Sequence, residues 1–169
     1  MNIIETERLI LRRLSIEDAS FILELLNQPS FLRFIGDRGV RTIKDAEKYI
    51  LQGPMDSYER LGFGLYLTEL KDNLTSIGIC GLIKRDALND IDIGFAFLPQ
   101  FWSKGYAFEA ASAVMVYGKN VLKLNRIVAI VSPDNERSVK VLEKIGFKFE
   151  STMRLSEDSP ELNLYASEA

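Results

Sequence analysis

The segment Phe101-Trp102-Ser103-Lys104-Gly105-Tyr106-Ala107-Phe108-Glu109-Ala110 decides how this chain folds. A strand pattern stops just before it, at Pro99, and an alanine-rich helical pattern runs from Lys104 to Val121. Between them lies a short loop whose small residues, Ser103 and Gly105, let the backbone turn tightly. The first amides of a helix have no partner within the helix, so at such a turn they converge on one point. That arrangement suits a phosphate or pyrophosphate, with Lys104 as a nearby cation. Taken alone, a glycine loop before a helix is more often a plain cap. The chain has no G-x-x-x-x-G-K-[ST] and no G-x-G-x-x-G after its first strand, which sets aside a P-loop and a dinucleotide fold.

Outward from this loop, hydrophobic periodicity divides the chain into three parts. Before it, Arg8–Leu14 reads as a strand, and Ser15 and Thr42 open two helices with acids in their first turns. The second helix should break near Gly53-Pro54. Residues 64–70, 76–83 and 91–98 read as three strands joined by short turns, an antiparallel meander. After the loop, Arg126–Val131 is a nearly continuous apolar strand of the kind covered on both faces. A helix over 135–145 closes at Gly146, and residues 147–153 and 162–166 supply the last strands. The order βαα, βββ, αβα, ββ predicts a mixed α/β sheet with helices on its faces. Residues 1–169 hold no repeat, low-complexity tract or linker, so one domain is expected.

Composition narrows the chemistry. The 169 residues are 47% apolar and 27% charged, and 21 Lys+Arg against 24 Asp+Glu leave a net charge of −3. There is no histidine and one cysteine, Cys80. Ser-His-Asp and Cys-His catalysis are therefore excluded, together with the usual zinc sites, and no metal site is expected. A lone thiol excludes an internal disulfide and suits a reducing compartment. The start, MNIIETERLILRR, lacks the pattern of a signal peptide, and no stretch approaches a membrane span. The acidic balance argues against a nucleic-acid surface. A cytoplasmic protein without membrane or nucleic-acid partners is expected.

A second segment lies at the right distance from the loop: Asn135-x-x-Ser138 after the apolar strand, then Lys144-x-Gly146-Phe147. Together the two segments resemble the GNAT superfamily of acetyl-CoA-dependent N-acetyltransferases. The family's pyrophosphate loop, [Q/R]-x-x-G-x-[G/A], is matched by Trp102–Ala107, with Trp102 in place of Gln or Arg. That tryptophan, with Lys104-Gly105-Tyr106-Ala107 and Glu109-Ala110, resembles the RimJ/RimL-type branch, named for acetylation of ribosomal-protein N-termini. Thr6-Glu7-Arg8-Leu9, Ile77-Gly78, Gly81-Leu82 and Asp92-Ile93-Gly94-Phe95 match that branch in the same order along nearly the whole chain.

The resemblance implies a mostly antiparallel sheet whose fourth and fifth strands, over 91–98 and 126–131, splay apart. It implies acetyl-CoA as co-substrate and direct attack of an amine on the thioester, a reaction that needs neither histidine nor cysteine. Backbone groups of Phe95, Ala96, Phe97 and Leu98 would pair with pantetheine, and one N–H there would act as oxyanion donor. Trp102, Ser103, Lys104, Gly105, Tyr106, Ala107 and Phe108 would hold the pyrophosphate. Asn135 and Ser138 would lie beside the pantetheine arm.

Asp92 stands where the family has a glutamate, which makes it the candidate general base through a bridging water; a solvated carboxylate is the competing reading. Asp86 and Asp90 could form an acidic lip, or could be ordinary turn residues. The tyrosine that many members use to protonate the thiolate is replaced by Leu142, which leaves Ser138 or water for that step. Cys80 reads as an inert core thiol. Phe31, Phe34 and Tyr49 fall where the family shapes its acceptor pocket. The acceptor could be a protein N-terminus or a small amine such as a polyamine or aminoglycoside, and a homodimer fits the superfamily. Leu142 and the shortened Asp92 also admit a catalytically silent acyl-CoA-binding module. The loop alone would admit a nucleotide-binding regulator.

Overall fold

Successive side chains of a strand point to opposite sheet faces, and the central strands of this protein bury both. The computed structural model describes residues 2–167. Eight strands form one sheet: β1 (Asn2–Glu5), β2 (Leu9–Arg13), β3 (Leu65–Leu70), β4 (Ser76–Ile83), β5 (Ile91–Phe97), β6 (Ile127–Val131), β7 (Phe147–Met153) and β8 (Leu162–Ser167). Their order is β1-β2-β3-β4-β5-β6-β8-β7, antiparallel throughout except for β5 beside β6.

On one face, Tyr66, Cys80, Leu82 and Ile93 pack with Ala110, Ala111, Val114 and Met115 of α5 (Tyr106–Asn120). The alanines bring that helix close to the strands. On the other face, Leu67 and Ile79 pack with Ile22, Leu25 and Leu26 of α1 (Ala19–Leu26), Phe31 of α2 (Pro29–Phe34) and Ala46 and Ile50 of α3 (Ile43–Ile50). α6 (Glu136–Lys144) lies beside β6, β7 and α5.

Helix starts follow from local chemistry. Thr42 Oγ1 accepts the Asp45 N–H at 3.1 Å, and Asp45 Oδ2 accepts the Thr42 N–H at 3.2 Å, a reciprocal capping box. At the first helix, Asp18 accepts the Ser15 N–H at 2.9 Å, and a 3₁₀ turn over Ile16–Asp18 precedes α1.

Gly53-Pro54 does not end the second helix. The backbone widens into a π turn over Leu51–Met55 and continues as α4 (Asp56–Leu61). The wider turn accommodates the ring and missing N–H that would break an α-helix. Tyr58 of α4 then accepts the Leu14 N–H at 3.0 Å and donates to the Leu65 carbonyl, which joins the end of β2 to the start of β3. Two short elements, β1 and α2, were not apparent from the sequence pattern.

Candidate active site

A gap in the sheet lies at the centre of the site. β5 and β6 pair only at Ile91–Ile127 and Asp92–Val128, and beyond Asp92 the two strands part. Leu98 donates its N–H to the Ile77 carbonyl of β4 at 2.9 Å, and the Ala96 carbonyl also points towards β4, at Gly78. Alternation therefore turns the peptide groups of Phe95 and Phe97 towards the gap. The Phe97 carbonyl is already engaged: the Trp102 indole N–H donates to it at 2.9 Å. That leaves the Phe95 N–H and C=O and the Phe97 N–H as the open hydrogen-bonding groups of this edge.

The gap runs into a groove of about 620 Å³ that reaches the N-terminus of α5. Gly105, at φ 84°, turns the chain into that helix, and Ser103, at φ 63°, prepares the turn. The first i→i−4 bond of the helix is donated by Glu109 to the Gly105 carbonyl at 3.0 Å, so the Tyr106, Ala107 and Phe108 amides precede the ladder. Three cations line the same groove, Arg137, Lys140 and Lys144. Arg137 lies 4.7 Å from the Trp102 ring centroid and donates to Ser103 Oγ at 3.1 Å. Free amides at a helix N-terminus, flanked by cations, fit a doubly charged pyrophosphate.

The loop is held from behind. Glu109 accepts from the Arg8 N–H at 2.9 Å, from Arg8 Nε at 2.7 Å and from Thr6 Oγ1 at 2.5 Å. Arg8 in turn donates to the Lys104 carbonyl at 2.9 Å and covers the Tyr106 ring at 4.4 Å. Burial works to raise the Glu109 carboxyl, but the bonds from Thr6 and Arg8 hold it below its ordinary value.

A second cavity, of about 140 Å³, borders the same gap. The groove and the cavity share Phe31, Phe34, Phe95, Ala96, Asn135 and Ser138, so the two spaces are contiguous there. Asp92 lines the inner cavity, with its carboxylate 3.1 Å from Arg85 Nε and the residue 1% exposed. Burial pushes its carboxyl up to about 6, against the pull of the Arg85 charge. A carboxylate poised near neutrality beside a cavity is suited to accept a proton.

Similarity to known proteins agrees with this geometry. Residues 8–148 match a family model described as "Acetyltransferase (GNAT) domain". The chain belongs to the GNAT acetyltransferase family. An uncharacterized N-acetyltransferase of Bacillus subtilis (strain 168), YoaA, is 32% identical over 154 residues, covering 90% of this chain and 86% of YoaA. The spermidine N(1)-acetyltransferase of Escherichia coli (strain K12) is 27% identical over 143 residues, covering 85% of this chain and 74% of that protein. Two solved acetyltransferase structures share the fold. The ribosomal-protein-S5-alanine acetyltransferase of Vibrio fischeri has a TM-score of 0.82 at 20% identity, covering 99% of this chain and 96% of that one. The microcin C7 self-immunity acetyltransferase MccE, solved with acetyl-CoA and AMP, has a TM-score of 0.79 at 19% identity, covering 97% and 94%.

Within this GNAT frame, most of the residues singled out by sequence meet in one place. Trp102, Ser103, Gly105, Tyr106, Ala107, Phe108, Asn135 and Ser138 line the groove, as do Phe95, Ala96 and Phe97. Asn135 Oδ1 accepts the Ser138 N–H at 3.4 Å and so caps α6 beside the gap. Two residues stand elsewhere. Leu98 is buried at 3% exposure in the core under α1, and its N–H is spent on β4. The Lys104 side chain is exposed and does not line the groove; its carbonyl serves Arg8 instead.

The acidic turn does not form a lip on either space. Asp90 is bound to Arg126 at 3.0 Å, and Asp86 is exposed. Asp92 is buried instead of solvated. Phe31, Phe34 and Tyr49 all line the inner cavity.

Sequence reasoning missed the cations of α6. Arg137, Lys140 and Lys144 recur at three- and four-residue spacing, which puts them on one helix side. That period was the available signal. It also missed the Thr6–Arg8–Glu109 brace, because its members stand about a hundred residues apart.

Glu109→Gln is expected to loosen the loop. Three bonds to a carboxylate would become at most two to a neutral amide. The expected loss is about 1–3 kcal/mol of folding stability, read by denaturant titration. CoA affinity should weaken about tenfold, read by calorimetry.

Proposed function

We propose that this GNAT protein transfers an acetyl group from acetyl-CoA straight to a primary amine while both substrates are bound. The observation that carries the reading is the junction of groove and inner cavity at Phe95, Ala96, Asn135 and Ser138, with Asp92 facing the cavity. A route through an acylated side chain finds no support, since the sequence has no histidine and Cys80 is 0% exposed with its thiol pushed up by burial.

When bound, acetyl-CoA supplies the activated acyl group. The Tyr106–Phe108 amides and the α6 cations hold its phosphates, and Phe95 and Phe97 continue the sheet along its amide-bearing arm. The Phe95 N–H, one of two open donors on this edge, serves the thioester oxygen, and a preorganised donor of this kind contributes on the order of 3 kcal/mol when charge builds on an oxygen. Asp92 takes the ammonium proton through water. The freed amine attacks the thioester carbonyl. The C–N bond forms, the C–S bond breaks, and the electron pair leaves on sulfur. The sulfur takes up, through water, the second proton that the nitrogen loses in becoming an amide. Ser138 donates a hydrogen bond to that sulfur, in the role Leu142 cannot fill.

The test is thiol release from acetyl-CoA across a panel of peptides and small amines. Amine-dependent release is the expected result; tight CoA binding with no release across the panel would leave a silent acyl-CoA-binding module instead. Ser138→Ala should lower kcat about tenfold through loss of a donor to a developing anion. KM for acetyl-CoA should change little.

A further inference from the structure

The inner cavity has a charge balance that distinguishes between classes of amine. Its charged lining consists of Arg38, Arg85 and Asp92, two cations against one carboxylate. Arg85 meets Asp92 through Nε, at 3.1 and 3.4 Å to the two oxygens, and the ends of its guanidinium have no hydrogen-bond partner among the described residues. Other arginines are neutralised: Arg8 by Glu109, Arg12 by Asp18, Arg33 by Asp134 and Arg41 by Asp37. Arg38 forms no ion pair among the described residues, although Asp37 is its neighbour. That carboxylate is turned away, bound to Arg41 at 2.5 Å and to the Gly39 N–H at 2.8 Å. Arg38, Arg85 and the Tyr49 phenol line the same small cavity. The remaining wall is mostly apolar, with Phe31, Phe34, Leu155 and Leu162 among its residues, and its uncharged polar members are Tyr49, Ser132, Asn135 and Ser138.

We propose that the acceptor is a small α-amino carboxylate with an apolar side chain: its carboxylate meets Arg38 and the free end of Arg85, and its amine faces Asp92 and the gap. This rests on the acyl-transfer reading above. A polycation would face two arginines and a carboxylate that is already paired. The excess positive charge also favours the neutral form of the bound amine, which is the form that attacks. No covalent step is added: the carboxylate is bound unchanged while the amine loses its proton and gains the acetyl group.

L-leucine, L-leucinamide, 3-methylbutylamine, spermidine and a peptide beginning with serine separate the alternatives. The expected order of kcat/KM puts L-leucine first, about 10–100-fold above its amide, the range for a charge-assisted pair. Arg38→Gln should cut the leucine-to-amide ratio at least about tenfold, Arg38→Lys should restore part of it, and Arg38→Glu should invert it. Arg38 is exposed, so these variants should fold. A readout independent of turnover is calorimetric binding to the CoA-bound protein, in which N-acetyl-L-leucine should bind more tightly than N-(3-methylbutyl)acetamide. Spermidine or the peptide as best acceptor, or a ratio indifferent to Arg38, would overturn the proposal and leave acyl transfer standing. No thiol release with any amine, despite CoA binding, would remove both.

Discussion

Asp92→Asn is expected to lower kcat/KM by at least about 100-fold, the usual contribution of a positioned base, and to leave the protein more stable at pH 8 than the parent. Burial raises this carboxyl from 3.8 to about 6, with Arg85 opposing. A shift of that size corresponds to about 3 kcal/mol of cost for holding the charge in the fold. The sign follows from proton binding. Between pH 4 and 6 the native protein keeps a proton that the unfolded chain has released, so this group's contribution to stability falls as pH rises through that window. Asparagine carries no such penalty. The gain in Tm should therefore be present at pH 8 and absent at pH 4. Arg85, about a quarter exposed, can turn to solvent when its partner is neutral. In the parent, activity should fall below pH 6 as the base is protonated, and Arg85→Gln should move that limb to higher pH. Full activity in Asp92→Asn would take the proton-acceptor role away from this residue.

Gly105→Val should cost at least about 100-fold in CoA affinity, seen by calorimetry. A β-branched residue at φ 84° is strained by about 1–3 kcal/mol. Its Cβ would stand 3.3 Å from Arg8 Nη2 and crowd the brace behind the loop. Loss of fold and loss of site are separated by a second variant. Gly146, at φ 98°, has nothing within 4 Å of the position a Cβ would take and does not line the groove. Gly146→Val should show a comparable loss of stability with CoA affinity nearly intact. Equal losses of affinity in both variants would assign the effect to global destabilisation.

The parts of the fold written in local sequence were readable before any coordinates. Residues 76–83, the nearly continuous apolar run 126–131 and the alanine-rich stretch after Gly105 carry distinct local patterns, and the structure places β4, β6 and α5 there. Gly53-Pro54 was read as a stop because the rule for proline concerns an α-helix, and the π turn lies outside that rule. β1 and α2 escaped notice because four and six residues are too few for a period to show.

The groove followed the same division. The loop and Asn135–Ser138 were legible as motifs, whereas the orientation of Leu98 depends on pairing register and that of Lys104 on the three-dimensional course of the loop. The apparent handicap of a chain with no histidine also resolves in structural terms. The proposed proton acceptor is Asp92, whose burial brings its carboxyl to about 6, close to an ordinary imidazole.

The parting of β5 from β6 has a consequence for how the protein avoids sticking to its own kind. Any unpaired strand edge invites another chain to add to the sheet. The two outer edges are defended: β1 is short and its register is interrupted, and β7 is interrupted near Phe149 and carries Lys148 and Glu150. The inner edge has no such defence, since Phe95 and Phe97 present smooth, apolar strand residues. It is sheltered by position, because an incoming strand would have to enter between two strands of an already folded sheet. A thin chain of amides and methylenes needs much less width. An aggregation hazard is thus enclosed where few molecules other than the intended one can reach it.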